Sequence, residues 1–165
     1  MKKLILMVLL ALPLSLCAQK FAHVNSAEII QAMPEYTAAQ TKIANLQKTY
    51  EEELTRLQDE LRTKAEDYEK NRATLLEPVQ QRREQELNDL NQRMQQYYQT
   101  SQQDLQKVQG EEMNAISTKV MNAIKEIGVA GGYVYIMDTT SGVPYISETL
   151  STDVTAEVKA KLGIK

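Results

Sequence analysis

The chain holds one histidine, His23, and one cysteine, Cys17, and those two counts decide most of the chemistry open to it. A protein zinc site gathers three or four Cys, His or carboxylate ligands, more than this pair supplies. A Ser–His–Asp or Cys–His nucleophile would have to recruit His23 itself. His23 lies in the short alternating run Phe21-Ala22-His23-Val24-Asn25. Its imidazole can titrate near neutral pH, but no partner is visible, and a strand residue facing water accounts for it. Carboxylate runs at Glu51-Glu52-Glu53 and Glu111-Glu112 alternate with bases on helical segments. Nothing there sets one carboxyl up as acid and another as base. Gly131-Gly132 follows a helix rather than opening one, which is the wrong context for a phosphate loop. These glycines serve to turn the chain from helix to strand. No catalytic residue, metal ligand or cofactor is expected, and no nucleic-acid partner. The chain reads as a binding protein, not an enzyme.

Binding must then come from the elements themselves. At 165 residues the chain allows one ordinary domain. With 42% hydrophobic and 25% charged residues it is neither a disordered tail nor a polytopic membrane protein. Met1-Lys2-Lys3, the apolar run Leu4 to Leu16 and the polar Gln19-Lys20 have the pattern of a secretory signal peptide cut after Ala18. The apolar run is shorter than the ~20 residues that span a bilayer. Lipidation at Cys17 is the alternative, disfavoured by the bulky Leu16 before it. Removing the first 18 of 165 residues leaves 147 with no cysteine, and loss of Lys2 and Lys3 takes the formal charge from −3 to −5. Such a chain suits an oxidising exported compartment.

Two helices dominate. From Glu35 to about Leu75 there is no Gly or Pro, and Pro34 fits a first helical turn. Ile43, Leu46, Tyr50, Leu54, Leu57, Leu61, Ala65 and Tyr68 recur at three and four residues and make one stripe. Ile43, Leu54 and Ala65 are eleven apart, a period that keeps the stripe nearly straight. A second stripe over about 78–127 has the same period at Met94, Leu105, Ile116 and Ile127. Thr74 to Pro78 reads as a tight reversal, so 35–127 forms an antiparallel helical hairpin. Residues 95–109 carry seven glutamines. Arms so polar have little apolar surface to bury beyond each other, and few packed contacts resist their bending.

The ends, 19–34 and 128–165, form a β-rich body. Tyr133 to Met137 is one strand, and Val143 to Ile146 a second that pairs with it as a hairpin across Asp138 to Gly142. Pro144 puts the second strand at an edge. Thr152-Asp153 caps a closing helix from Val154 to Leu162. A body of this size has a marginal core and exposed strand edges. Both faults are relieved by oligomerisation through Phe21, Val24, Val134, Ile136, Tyr145 and Ile146. The fold class is therefore mainly α, with a long helical hairpin on a small, short-stranded β base that associates with copies of itself.

Two stretches carry a family resemblance. Phe21 to Tyr36, which ends Met33-Pro34-Glu35-Tyr36, and Tyr133 to Asp138 with Gly142-Val143-Pro144-Tyr145 and Asp153-Val154-Thr155, resemble the Skp/OmpH family of periplasmic chaperones. The resemblance implies a homotrimer whose hairpins project as coiled-coil tentacles around a cavity. It also implies an ATP-independent holdase for unfolded outer-membrane β-barrel proteins during outer membrane protein biogenesis. The acidic balance departs from the strongly basic family pattern.

Candidate client contacts follow. Met94 and Tyr98, on the stripe, are expected to pack within the hairpin. Tyr97 and Met113, off it, are the better cavity candidates, since Tyr and Met suit promiscuous surfaces. At the tip, residues 62–83 set six cations, Lys70, Arg72, Arg82 and Arg83 among them, against four carboxylates. That excess offers a weak contact to anionic surface or client, screened within ~8 Å at physiological salt. The alternative is a structural spacer that docks one folded envelope partner at the tip.

Overall fold

The structure, a computed structural model, describes residues 19–164. The expectations for the signal segment, its cleavage after Ala18 and Cys17 lie outside the described residues. The chain runs β1 (Lys20–Val24), α1 (Ser26–Ala32), α2 (Pro34–Asn71), a 3-10 turn (Arg72–Thr74), α3 (Glu77–Gly131), β2 (Tyr133–Asp138), a second 3-10 turn (Thr139–Ser141), β3 (Ser151–Asp153) and α4 (Thr155–Lys161). It is mostly helical with one small sheet. The contacts divide it into two units: one from the chain ends, to Ala32 and from Lys119, and one over Met33–Thr118.

The first unit is built on a three-stranded sheet with β1 in the middle, in the order β2-β1-β3. Both neighbours run parallel to β1. Parallel neighbours need long crossovers, and the whole helical excursion between β1 and β2 is one. Ala22 and Val24 on β1 are fully buried, as are Ile29 on α1 and Val154 and Val158 at α4. Burying each of the larger side chains stabilises by about 1.5–3 kcal/mol. Side chains at the strand ends tie the helices down. Asn25 Oδ1 accepts from the Glu28 amide at 3.1 Å and so caps α1. The Asn25 amide donates to Thr155 Oγ1 at 3.0 Å. Asp153 accepts from the Thr155 amide at 2.8 Å; it stands one residue before the N-cap of α4, which is Val154 and makes no side-chain cap bond, not Asp153 as expected. Lys159 reaches Glu28 at 2.6 Å.

The expected hairpin between Tyr133–Met137 and Val143–Ile146 does not form. Asp138 accepts from the Thr140 amide at 3.0 Å and starts a 3-10 turn that ends at Gly142 with φ 73°. The chain leaves the sheet there, and residues 142–150 hold no strand. Pro144 has no amide to give a ladder. The free edge of β1 pairs instead with Ser151–Asp153.

The second unit is an antiparallel helical hairpin. Lys42 meets Glu112, Tyr50 meets Asp104, Glu60 meets Arg93 and Tyr68 meets Glu84. As one number rises the other falls, which fixes the direction and the register. At 1.5 Å per residue the 38 residues of α2 extend about 57 Å. The reversal comes slightly earlier than read from sequence, at Arg72–Leu76, with Pro78 in the first turn of α3. The hairpin's buried apolar side chains are few: Ala39, Leu57, Tyr68, Leu90 and Ile116, with Met33 at its start. Of the other apolar stripe positions, Val79 and Tyr98 are exposed and the rest are half-buried.

α3 runs four residues past the expected Ile127, to Gly131. Only Gly132 takes the left-handed φ, 65°, that ends it. Gly131 matters for a different reason: a Cβ there would lie 2.3 Å from the Tyr133 ring, which would have to move.

Candidate binding surfaces

Three surfaces bear on function. The first is the outer face of the sheet. Registered partners in parallel strands share a face, so Phe21, Tyr135, His23 and Met137 lie together, opposite Ala22 and Val24. The Phe21 and Tyr135 rings stack at 4.9 Å between centroids. Tyr135, Met137, Tyr145 and Leu150 are exposed, Tyr145 at 79%. They border a shallow cavity of about 190 Å³ floored by Phe21 and Ala22. Of the six residues read as oligomerisation residues, Val134 and Tyr145 are exposed, and Phe21, Ile136 and Ile146 half-buried. Val24, at 1% exposure, is spent on the chain's own core and is not open to a partner. His23 Nδ1 lies 2.9 Å from Ser151 Oγ, so the imidazole has the partner that sequence did not reveal.

The carboxyls at the strand ends are partly buried and hydrogen-bonded. Burial pushes Asp138 up, but hydrogen bonds from Ser26 and Thr140 outweigh it and hold the carboxyl below its usual range. Ser26 Oγ donates to it at 2.5 Å. Asp153 behaves alike: burial raises it, while bonds from Thr155 and the nearby His23 bring it below the usual value.

The second surface is the hairpin tip. Lys70 is exposed. The Arg72 guanidinium lies 5.9 Å above the Tyr68 ring, a cation–π distance. Arg82 and Arg83 both turn back to Glu86, at 3.3 and 3.2 Å. Glu84 and Glu86 stand just outside the window 62–83, and counting them brings carboxylates level with the six cations. The tip is therefore near neutral, not basic as the window implied. It also presents Leu76, 76% exposed, and Val79.

The third surface is the middle of the hairpin. Here Tyr97 and Tyr98 exchange the places expected of them. Tyr97 is half-buried and meets the Tyr50 ring edge-on at 6.0 Å; burial pushes its phenol pKa up. Tyr98 is 54% exposed. The eleven-residue period does not separate the two: Val108 lies eleven after Tyr97 and Leu87 eleven before Tyr98. Met94 and Met113 are both half-buried. The hydrogen bond to Asp104, with burial, pushes Tyr50 up to about 12. The bond to Glu84 likewise raises Tyr68. Ser101 occupies a buried stripe position and satisfies its hydroxyl on the Tyr98 carbonyl at 2.9 Å. No sequence signal marked it, because a serine does not register in an apolar stripe.

No cluster of three or more metal-ligating side chains occurs among the described residues, and none of their helices is long and apolar enough to cross a membrane. What these surfaces offer is many weak contacts rather than one reactive centre.

Residues 20–162 match the family model described as outer membrane protein (OmpH-like). The chain is 28% identical over 149 residues to the chaperone protein Skp of Yersinia enterocolitica, covering 90% of this chain and 89% of that one. It is 25% identical over 141 residues to the Skp of Pectobacterium atrosepticum, covering 86% and 84%. A crystal structure from Caulobacter crescentus, described as an OmpH-like outer membrane chaperone, superposes with a TM-score of 0.75 at 14% identity, over 87% of this chain and 83% of that one.

Proposed function

The chain belongs to the OmpH-like outer membrane protein family, and from that premise we propose that it is a periplasmic holdase chaperone. It binds unfolded outer-membrane β-barrel proteins, without ATP, and keeps them from aggregating. The observation that carries this is the hairpin: about 57 Å of helix pair with only a thin line of buried side chains. Such an arm bends at low cost and presents Tyr98 and Leu76 to solvent. An unfolded client loses less entropy on a surface of many weak contacts than in one tight pocket.

The working form is a homotrimer. Its support is the apolar outer face of the sheet, where Tyr135, Met137, Tyr145 and Leu150 stand exposed in a single chain. A body made of residues 19–34 and 128–165 joins the copies, and residues 35–127 form the client-holding arms around a cavity. Met113 is a contact on those arms, joined by Tyr98; Tyr97 contributes by packing against Tyr50. Lys70 and Arg72 supply what weak attraction the tip has for anionic surface or client. Export by cleavage near Ala18 delivers the chain to the periplasm, and the activity involves no catalytic step.

The test is suppression of aggregation. A urea-unfolded outer-membrane barrel protein diluted into buffer scatters light. The mature chain should abolish that scattering at about one trimer per client and have no effect on the folded barrel. Scattering unchanged by an excess of chain would overturn the reading. A tip-docking spacer would instead bind one folded partner.

A further inference from the structure

The two edges of the hairpin differ. Lys42 and Glu60 lie along one edge of the buried stripe of α2, and that edge is closed by the ion pairs Lys42–Glu112 at 2.5 Å and Arg93–Glu60 at 3.6 Å. Gln47 and Glu51 fall on the other edge by helical spacing. That edge is open: a groove of about 270 Å³ runs there. Its floor is Tyr50, Leu54 and Leu105, and its walls carry Gln47, Gln102, Gln106 and Gln109.

The open edge continues along α3. Tyr98, Gln102, Gln106, Gln109 and Met113 follow at intervals of four, four, three and four residues, so they form one row. None of the five is charged. From Tyr98 to Met113 the row extends about 22 Å. No cation lines the groove. Its one carboxylate, Glu51, accepts from Gln47 Nε2 at 2.8 Å.

We propose that this glutamine-walled groove binds an extended segment of unfolded polypeptide through its backbone. The chemistry is complementary. A carboxamide both donates and accepts, as does each peptide unit of an extended chain. Anionic ligands find no cation here, and a neutral backbone finds nothing to repel it. An extended strand rises about 3.3 Å per residue, so about 22 Å takes six or seven residues. The apolar floor and the Tyr98 and Met113 ends hold alternate side chains loosely. Recognition of backbone, not side chains, lets one groove serve many clients. The inference rests on the holdase reading and names the part of the arm that does the holding.

The test uses the full mature chain with a urea-unfolded outer-membrane barrel protein as probe. The photoreactive residue p-benzoylphenylalanine is placed at position 106 or, as control, at position 100, where Thr100 is exposed on the other side of α3. Client cross-links should form at position 106 and be scarce at position 100. The variant Gln102→Ala/Gln106→Ala/Gln109→Ala changes only exposed helix positions and should keep its helical circular dichroism. It should hold client at least about tenfold more weakly, the loss that about three hydrogen bonds imply even at the low end of their net worth. Equal cross-linking at both positions, with capture unchanged in the triple variant, overturns the groove and leaves the holdase standing. Cross-links at position 106 formed without client would make the occupant another copy of the chain and overturn it too. If the unsubstituted chain captures no client, the holdase reading fails and the groove proposal fails with it.

Discussion

Tyr50 on α2 gives its phenol hydrogen to the carboxylate of Asp104 on α3, across 54 residues of chain. Tyr68 repeats the arrangement nearer the tip, donating to Glu84 at 2.5 Å. Both tyrosines belong to the apolar stripe, so each ring packs between the helices while its hydroxyl sets the register. A stripe of half-buried leucines tolerates sliding; two phenol–carboxylate clasps with fixed partners do not.

Tyr50→Phe should therefore cost the hairpin about 1 kcal/mol, the net worth of one hydrogen bond, while leaving helix content unchanged. Thermal unfolding followed by circular dichroism measures it. The alkaline limb carries a second signature. The hydrogen bond to Asp104 pushes the folded phenol up to about 12, from the ordinary tyrosine value of about 10. Its contribution is complete below pH ~10 and is lost as pH rises through about 12. The Phe variant should lack that component.

The first unit has the opposite acid dependence. Asp138 and Asp153 are both held below their usual carboxyl range. Their contribution is present above the unfolded value near 4 and lost as pH falls through the lower folded values. Asp138→Ala removes the acceptor for Ser26 and Thr140. It should cost about 1 kcal/mol at pH 7 and flatten the loss of stability below pH 4, read from urea midpoints across that range. An unaltered acid limb would mean that Asp138 does not couple α1 to the sheet.

Tyr135 tests the sheet face. It is half exposed and stacks on Phe21, with Ala22 and Val24 covered on the other face. Tyr135→Asp should reduce the assembly to monomer at micromolar concentration in analytical ultracentrifugation and keep the monomer folded. An oligomer that survives the change would place the interface elsewhere.

The tip charges should matter little. Arg82 and Arg83 are both engaged by Glu86, and cations and carboxylates balance there. Replacing both arginines by alanine should change client capture less than about twofold at physiological salt, where exposed charges are screened within ~8 Å. A large loss would restore the basic-tip reading.

The parts of this fold that sequence revealed are those written in periodicity and punctuation. The eleven-residue stripe gave both long helices; Pro34, Pro78 and Gly132 marked their ends to within a few residues. The strand β3 was not legible. Ser151-Thr152-Asp153 pairs with β1 through its backbone and the side-chain contact of Ser151 with His23, while the strand-like side chains Val143 to Ile146 lie in the loop before it. Tyr97 and Tyr98 were exchanged because adjacent residues on a helix differ by about 100°, so a small error in the stripe's drift moves one in and the other out. Ser101 and the open groove escaped notice because glutamine and serine carry no hydrophobic signal.

The most direct measurement is native mass spectrometry of the mature protein, alone and mixed with an outer-membrane barrel protein diluted from urea. A trimer should appear, take up one unfolded client, and ignore the same barrel once it is folded. A stable oligomer that takes up no unfolded client, or takes up folded and unfolded forms alike, would contradict the holdase and point to a spacer with a folded partner.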